Sequence, residues 1–393
     1  MAANLSYLGI KIYAFKFRDR IKLKIPIITT QAMTFQRYKE RKRVEGLDGL
    51  RAIAILLVVM VHMHERLWTR LNGGLGAVIF FVLSGYLITM LALREEEKQG
   101  KLNLTAFYIR RSFRILPLYY FVLAVYAVLI LGLKVSSDKS NGFVHYLPYY
   151  LLHFQEIPYF RTDGGFPFYQ TWTLGIEQKF YFLWPLFAFG ILYIDKRLRR
   201  ILTAAVILVF ALSPVLAAST RWYELENYSY ILMGALLAIV LEDRAGFAFI
   251  QRFGDAGLAS LITILVSLQC FRIQAAQRSN ARTACAIDFM FLLGILVTTD
   301  GRLQRFLSKP IMGFVGQLSF GIYLVHLLCL NAAEKVFPPG TGHALSTYVL
   351  TCLISIAVAY VLNRLVEKPM MRLGRILSPH RLIKPSLDAA QAC

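Results

Sequence analysis

Asp48-Gly49-Leu50-Arg51-Ala52-Ile53-Ala54-Ile55-Leu56-Leu57-Val58-Val59-Met60-Val61-His62-Met63-His64 is an apolar helix with a charge at its start and a histidine far along it. Arg51 and His62 are eleven residues apart. At helical rise this is about 16 Å, half of a ~30 Å hydrocarbon core. Eleven steps of about 100° also return to nearly the same face. Arg51 is therefore expected at one membrane boundary and His62 below it, near the midplane. An ionisable group at that depth is costly and rarely faces lipid. Two readings follow: a functional histidine, or one that only hydrogen-bonds a neighbouring helix. His64, two residues on, points elsewhere.

The rest of the chain has the same character. Its 393 residues are 57% hydrophobic and only 17% charged. A soluble chain of this length would carry more charge. Apolar runs recur from residue 50 to 363, which makes a polytopic membrane protein the natural class. A net charge of +21 could suggest nucleic acid, but the basic residues cluster in alternate loops, as the positive-inside rule requires, so no nucleic-acid partner is expected. The five cysteines are scattered with no CxxC or metal-ligand spacing, so neither a disulfide framework nor a metal is expected.

Candidate spans are 49–67, 75–93, 115–133, 173–194, 201–219, 229–242, 257–271, 284–299, 313–333 and 346–364. The expected fold is all-α, a membrane bundle of about ten transmembrane helices with both termini cytoplasmic. The segments then assigned inside hold about 32 Lys and Arg and the outer loops about 10. The aromatic stretch 143–154 is short and interrupted by Pro148. It falls within an external loop, 134–172, as a re-entrant or interfacial piece. Residues 1–46 lack a clean apolar region and carry Arg41-Lys42-Arg43, which reads as a basic cytoplasmic segment rather than a cleaved leader. This segment either touches anionic headgroups or only fixes topology. Residues 47–366 form the membrane domain and 367–393 a cytoplasmic tail. No internal repeat is visible, which weighs against a transporter built from inverted halves.

Several motifs carry chemistry. Phe81-Val82-Leu83-Ser84-Gly85-Tyr86 has a small pair that lets another helix approach closely. Arg111 and Arg114 are three apart and share a helix face at the cytoplasmic mouth of the third span. Arginine there can fork to phosphate oxygens, although positive-inside anchoring would also explain it. Glu177, in Trp172-Thr173-Leu174-Gly175-Ile176-Glu177, lies about one turn inside the outer face. It can pair locally with Lys179, or it can orient and charge-balance a histidine. Tyr323 and His326 share a face of the ninth span, and His326 is either a site residue or an interhelical hydrogen bond.

Together these pieces resemble the acyltransferase 3 family of integral membrane acyltransferases. The resemblance rests on Leu47-Asp48-Gly49-Leu50-Arg51 with His62, Phe81 to Tyr86, Arg111 and Arg114 followed by Pro117, Trp172 to Glu177 with Phe180-Tyr181, Ser319 to His326, and Glu367-Lys368-Pro369. Any one motif is weak; six in order across residues 45 to 370 are strong. The likeness implies a ten-span inner (plasma) membrane enzyme, in contact with membrane lipids, that moves acyl groups, often acetyl, from cytoplasmic acyl-CoA to hydroxyls of envelope carbohydrates. No permanently bound cofactor is implied. Arg51 and His62 match the family's arginine–histidine motif, and Arg111 and Arg114 its arginine pair. The hydrolase-like extracytoplasmic domain of some relatives is not expected here, since only about 30 residues follow the last span.

These residues imply His62 as general base, since imidazole titrates near working pH. Glu177 is the expected orienting partner and His326 the reserve. Arg51 joins the catalytic set, with Arg111, Arg114, Tyr323 and His326 binding donor or acceptor. Two alternatives remain at this stage: a flippase or transporter of a lipid-linked or glycan substrate, and an acyltransferase acting on a small molecule.

Overall fold

The computed structural model describes residues 33–41, 44, 46–63, 74–134, 140–162, 166–191, 195–216, 223–254, 257, 258, 260–262 and 279–378. Most of the basic N-terminal segment, the end of the first expected span with His64, most of the span expected at 257–271 and the tail after 378 lie outside these residues. The described residues are helical, with no strand.

Among the described residues, four helices are long and apolar enough to cross a membrane: Leu75–Gln99, Leu104–Gly132, Pro310–Val336 and Ala344–Leu377. Around them stand Gly46–Val61, Trp172–Pro185, Lys196–Leu216, Tyr223–Leu241 and Ser279–Thr298. Their boundaries follow local chemistry. Gly100, at φ 76°, ends Leu75–Gln99 in the left-handed conformation that favours glycine. Asn103 starts the next helix, its side-chain oxygen accepting from the Ala106 N–H at 3.0 Å. That helix therefore begins eleven residues before the expected 115, with Arg111 and Arg114 inside it. Residues 344–377 continue through a π-helical turn at Asn363–Glu367 into Lys368–Leu377 without a break in the helix.

The first helix differs from expectation where it matters most. It ends at Val61, so His62 stands in the turn after it rather than inside it. The last carbonyls of a helix lack intrahelical partners. Here the His62 ring supplies one, its Nδ1–H donating to the Val58 carbonyl at 2.7 Å.

Glycines set the two tightest crossings. A Cβ on Gly85 would collide with the Ile231 carbonyl, and one on Gly234 with the Val82 carbonyl. The small pair of the second span thus seats helix Tyr223–Leu241 backbone to backbone. Gly49 and Gly316 act likewise, Gly49 against the Leu307 carbonyl and Gly316 against the Asp48 carbonyl. This fixes the start of the Arg51 helix against the helix that carries His326.

The segment 140–172 folds inward. Ser140–Leu151 is a short helix that contains Pro148, and Glu156–Thr162 is another. Phe143, Tyr150, Phe166 and Phe168 are buried. Phe168 has φ 69°, a left-handed conformation costly for a bulky residue. Packing holds it there, with ring centroids 4.7 Å from Tyr126 and 5.5 Å from Tyr119. After the turn, Gln170 meets helix Pro310–Val336 and Tyr169 comes beside His62.

Candidate active site

Arg51 sits one turn into its helix and reaches back to Asp48, Nη1 to Oδ1 at 3.2 Å. Arg111 and Arg114 occupy one face of Leu104–Ala127. The Arg111 guanidinium lies 5.2 Å over the Tyr181 ring. This cation–π contact holds its plane while its edge donors stay available. All three arginines line one cavity of about 720 Å³.

Glu177, His62 and Tyr323 line the same cavity. Helix Trp172–Pro185 sorts its residues by face. Thr173, Glu177 and Tyr181, at spacings of four, turn to the cavity. Gly175 and Lys179, also four apart, turn to the inward-folded segment. Lys179 Nζ meets Glu156 Oε1 at 2.5 Å and the His153 carbonyl at 2.8 Å. A Cβ at Gly175 would strike the Glu156 carboxylate. Burial pushes the Glu156 carboxyl up, and the Lys179 ammonium opposes that rise. Burial, with Lys179 beside it, pushes the His153 imidazole down to about 4.

The carboxylate of Glu177 is buried and engaged. Its Oε2 accepts from the Tyr181 hydroxyl at 2.6 Å and from Ser84 Oγ at 3.3 Å. Tyr181 therefore links Arg111 to Glu177. Sequence reasoning gave Ser84 a packing role and Tyr181 none of its own. The i, i+4 spacing from Glu177 to Tyr181 was the available signal.

The ring set against His62 is that of His326. Their centroids are 4.8 Å apart, and His326 Nε2 lies 3.3 Å from His62 Nδ1. His326 is fully buried, and its Nδ1 contacts the Tyr323 carbonyl at 2.7 Å. Carbonyl oxygens only accept, so in the neutral rings both Nδ1 atoms carry the proton. His326 Nε2 is then an acceptor facing His62 Nδ1–H, and the basic lone pair of His62 is on Nε2. Tyr169 closes over the pair, its ring 6.0 Å from that of His62.

Tyr323 lines the cavity, but its hydroxyl is committed to structure. It donates to the Gln170 carbonyl and accepts from Thr173 Oγ1 at 2.7 Å. Gln170 in turn donates to the Tyr126 hydroxyl at 3.1 Å. These bonds tie the Tyr169 turn to the His326 helix. Of the seven residues expected at the site, six line the cavity, and His326 stands behind His62 as its neighbour.

Residues 44–364 match a family described as an acyltransferase domain. Curated relatives are more distant. The peptidoglycan O-acetyltransferase OatA of Listeria monocytogenes is 29% identical over 363 residues, 86% of this chain and 57% of its own length. A Bacillus subtilis protein, YrhL, provisionally named a peptidoglycan O-acetyltransferase, is 27% identical with the same coverage. A Staphylococcus aureus protein provisionally named an O-acetyltransferase is 26% identical over 362 residues, 86% of this chain and 59% of its own. The chain thus spans less than three-fifths of the length of these relatives. No solved structure matches it.

Proposed function

The chain belongs to the acyltransferase 3 family, and from that membership we propose that it is an integral membrane O-acyltransferase that moves an acyl group, acetyl in the first instance, from acyl-CoA to a hydroxyl of an envelope carbohydrate. The observation that carries this reading is a single cavity that holds Arg51, Arg111 and Arg114, with Arg282 as a fourth arginine in its lining, and a histidine whose Nδ1 is tied back to protein acceptors.

Arg51, Arg111 and Arg114 are suited to the phosphates of coenzyme A, because guanidinium–phosphate bonds are bidentate and charge-assisted. With the phosphates there, the thioester arm reaches along the cavity toward His62. The acceptor hydroxyl oxygen attacks the thioester carbonyl carbon while His62 Nε2 takes the hydroxyl proton. The carbon–sulfur bond then breaks, and the departing thiolate takes that proton from His62, leaving the ester and free CoA. His326 and Val58 hold His62 in the required orientation as positive charge develops on its ring. The Glu177–Tyr181–Ser84 network orients Arg111. Tyr169 and the inward-folded segment keep water from the thioester.

The topology proposed with this reading is ten crossings with both termini cytoplasmic, in the inner (plasma) membrane. The bias of Lys and Arg toward the inner segments supports it. The donor then comes from the cytoplasm and the acceptor from the other face.

The test is donor dependence. Purified protein in proteoliposomes, given radiolabelled acetyl-CoA and a saccharide digest of the cell envelope, should release CoA and produce ester-labelled saccharide. Protein that binds no acyl-CoA and releases no CoA would overturn the enzyme reading in favour of transport.

A further inference from the structure

The cavity has a second polar group that the proposed chemistry does not use. Glu226 and Asn227, from the start of helix Tyr223–Leu241, line it together with Arg282, from the start of Ser279–Thr298. Glu226 is 3% exposed and accepts the Tyr230 hydroxyl at 2.5 Å and the Thr283 hydroxyl at 2.7 Å. A buried carboxylate with two hydroxyl donors is built in rather than incidental.

Its position follows from helix pairing. Leu75–Gln99 and Tyr223–Leu241 run parallel, since Lys39 bridges Glu97 and Glu242 near their C-terminal ends while Gly85 faces Ile231. Glu226 lies five residues before Ile231, about 7.5 Å toward the N-terminal ends. The Arg111–Tyr181–Ser84 level is at Gly85; the N-terminal end is where Gly76 meets Ala54 and Val58, next to His62. The second group is thus displaced from the arginines toward the histidine.

Its chemistry also differs from theirs, because a carboxylate and an amide stand beside its one arginine. Three arginines favour an anion, whereas the Glu226 carboxylate repels phosphate and attracts hydroxyl donors. Asn227 offers both a donor and an acceptor, and Arg282 offers donors. We propose that Glu226, Asn227 and Arg282 form the acceptor subsite, which takes a neutral polyhydroxylated sugar ring and presents one of its hydroxyls to His62. This deepens the acyltransferase reading and rests on it.

The experiment is steady-state transfer by the full chain in proteoliposomes, with radiolabelled acetyl-CoA as donor and the envelope saccharide digest as acceptor probe. Arg282→Ala and Asn227→Ala are each expected to raise the acceptor KM about tenfold and to move the donor KM less than twofold, a split that general misfolding would not give. Glu226→Gln, which keeps the shape, should raise the acceptor KM in the same way. Acceptor KM values within twofold of wild type in all three variants, or donor KM rising in step, would overturn the subsite while leaving the enzyme reading intact. Wild-type protein that esterifies no saccharide would overturn both.

Discussion

Replacing His326 by phenylalanine removes the ring acceptor behind His62 while keeping the volume that packs the buried pocket. His62 Nδ1–H is shared between the Val58 carbonyl at 2.7 Å and His326 Nε2 at 3.3 Å. When Nε2 takes the acceptor proton, the ring becomes an imidazolium and its Nδ1–H bonds become charge-assisted. Such a bond contributes about 1.5–3 kcal/mol. The His326 contact is the longer of two shared ones, so a value around or just below the lower end of that range, about 1–2 kcal/mol, is expected. This corresponds to a loss in kcat of about 5- to 30-fold. The assay is acetyl transfer in proteoliposomes at saturating donor, with thermal unfolding run in parallel. The donor KM should change little. His326→Gln, whose amide oxygen can still accept, should recover part of the rate. In a His62→Ala background, His326→Phe should have no further effect, because it acts only through His62. Full kcat in folded His326→Phe protein, or an additive loss in the double variant, would refute the positioning role.

Arg111→Ala with Arg114→Ala should raise the donor KM by roughly 10- to 100-fold, the loss of one or two charge-assisted phosphate bonds, measured by acyl-CoA titration. Gly85→Leu should prevent stable folding, since even a Cβ there meets the Ile231 carbonyl; detergent-soluble yield and size-exclusion profile report it. The His153 imidazole, depressed from its ordinary 6.5 to about 4, binds fewer protons folded than unfolded between those values. Stability should therefore fall as pH drops from 6.5 toward 4, by at most about 3 kcal/mol. The melting temperature of His153→Phe protein should fall less than that of wild type over this window. An equal fall in the variant would remove His153 from the effect.

Much of the site was legible because membrane burial makes polar residues conspicuous. Arg51, His62 and Glu177 stand out in apolar runs, Arg111 and Arg114 by their spacing at the mouth of one, and all five line the cavity. The 3.6-residue period placed Arg111 and Arg114 on one face. What could not be read was pairing between distant segments. Which ring stands behind His62 depends on the crossing at Gly49 and Gly316, a contact spanning more than 260 residues of chain. The end of the first expected span's helix at Val61 was hidden because no proline or glycine stands beside it and Met63 resumes the apolar character after His62. Tyr323 lies on the expected face, yet its hydroxyl is taken by the Gln170 carbonyl and Thr173, which only the turn at Phe168 brings near. Glu226 escaped notice because it sits at a helix start, where a carboxylate is unremarkable in sequence.

His62 carries the proposed chemistry. The most direct measurement is the rate of acetyl transfer from labelled acetyl-CoA to the saccharide digest by His62→Ala protein in proteoliposomes, with acyl-CoA affinity measured on the same preparation. Loss of a general base predicts a fall of at least about 100-fold in kcat, with donor affinity held by the three arginines. Transfer at the wild-type rate by a folded, donor-binding His62→Ala protein would contradict it.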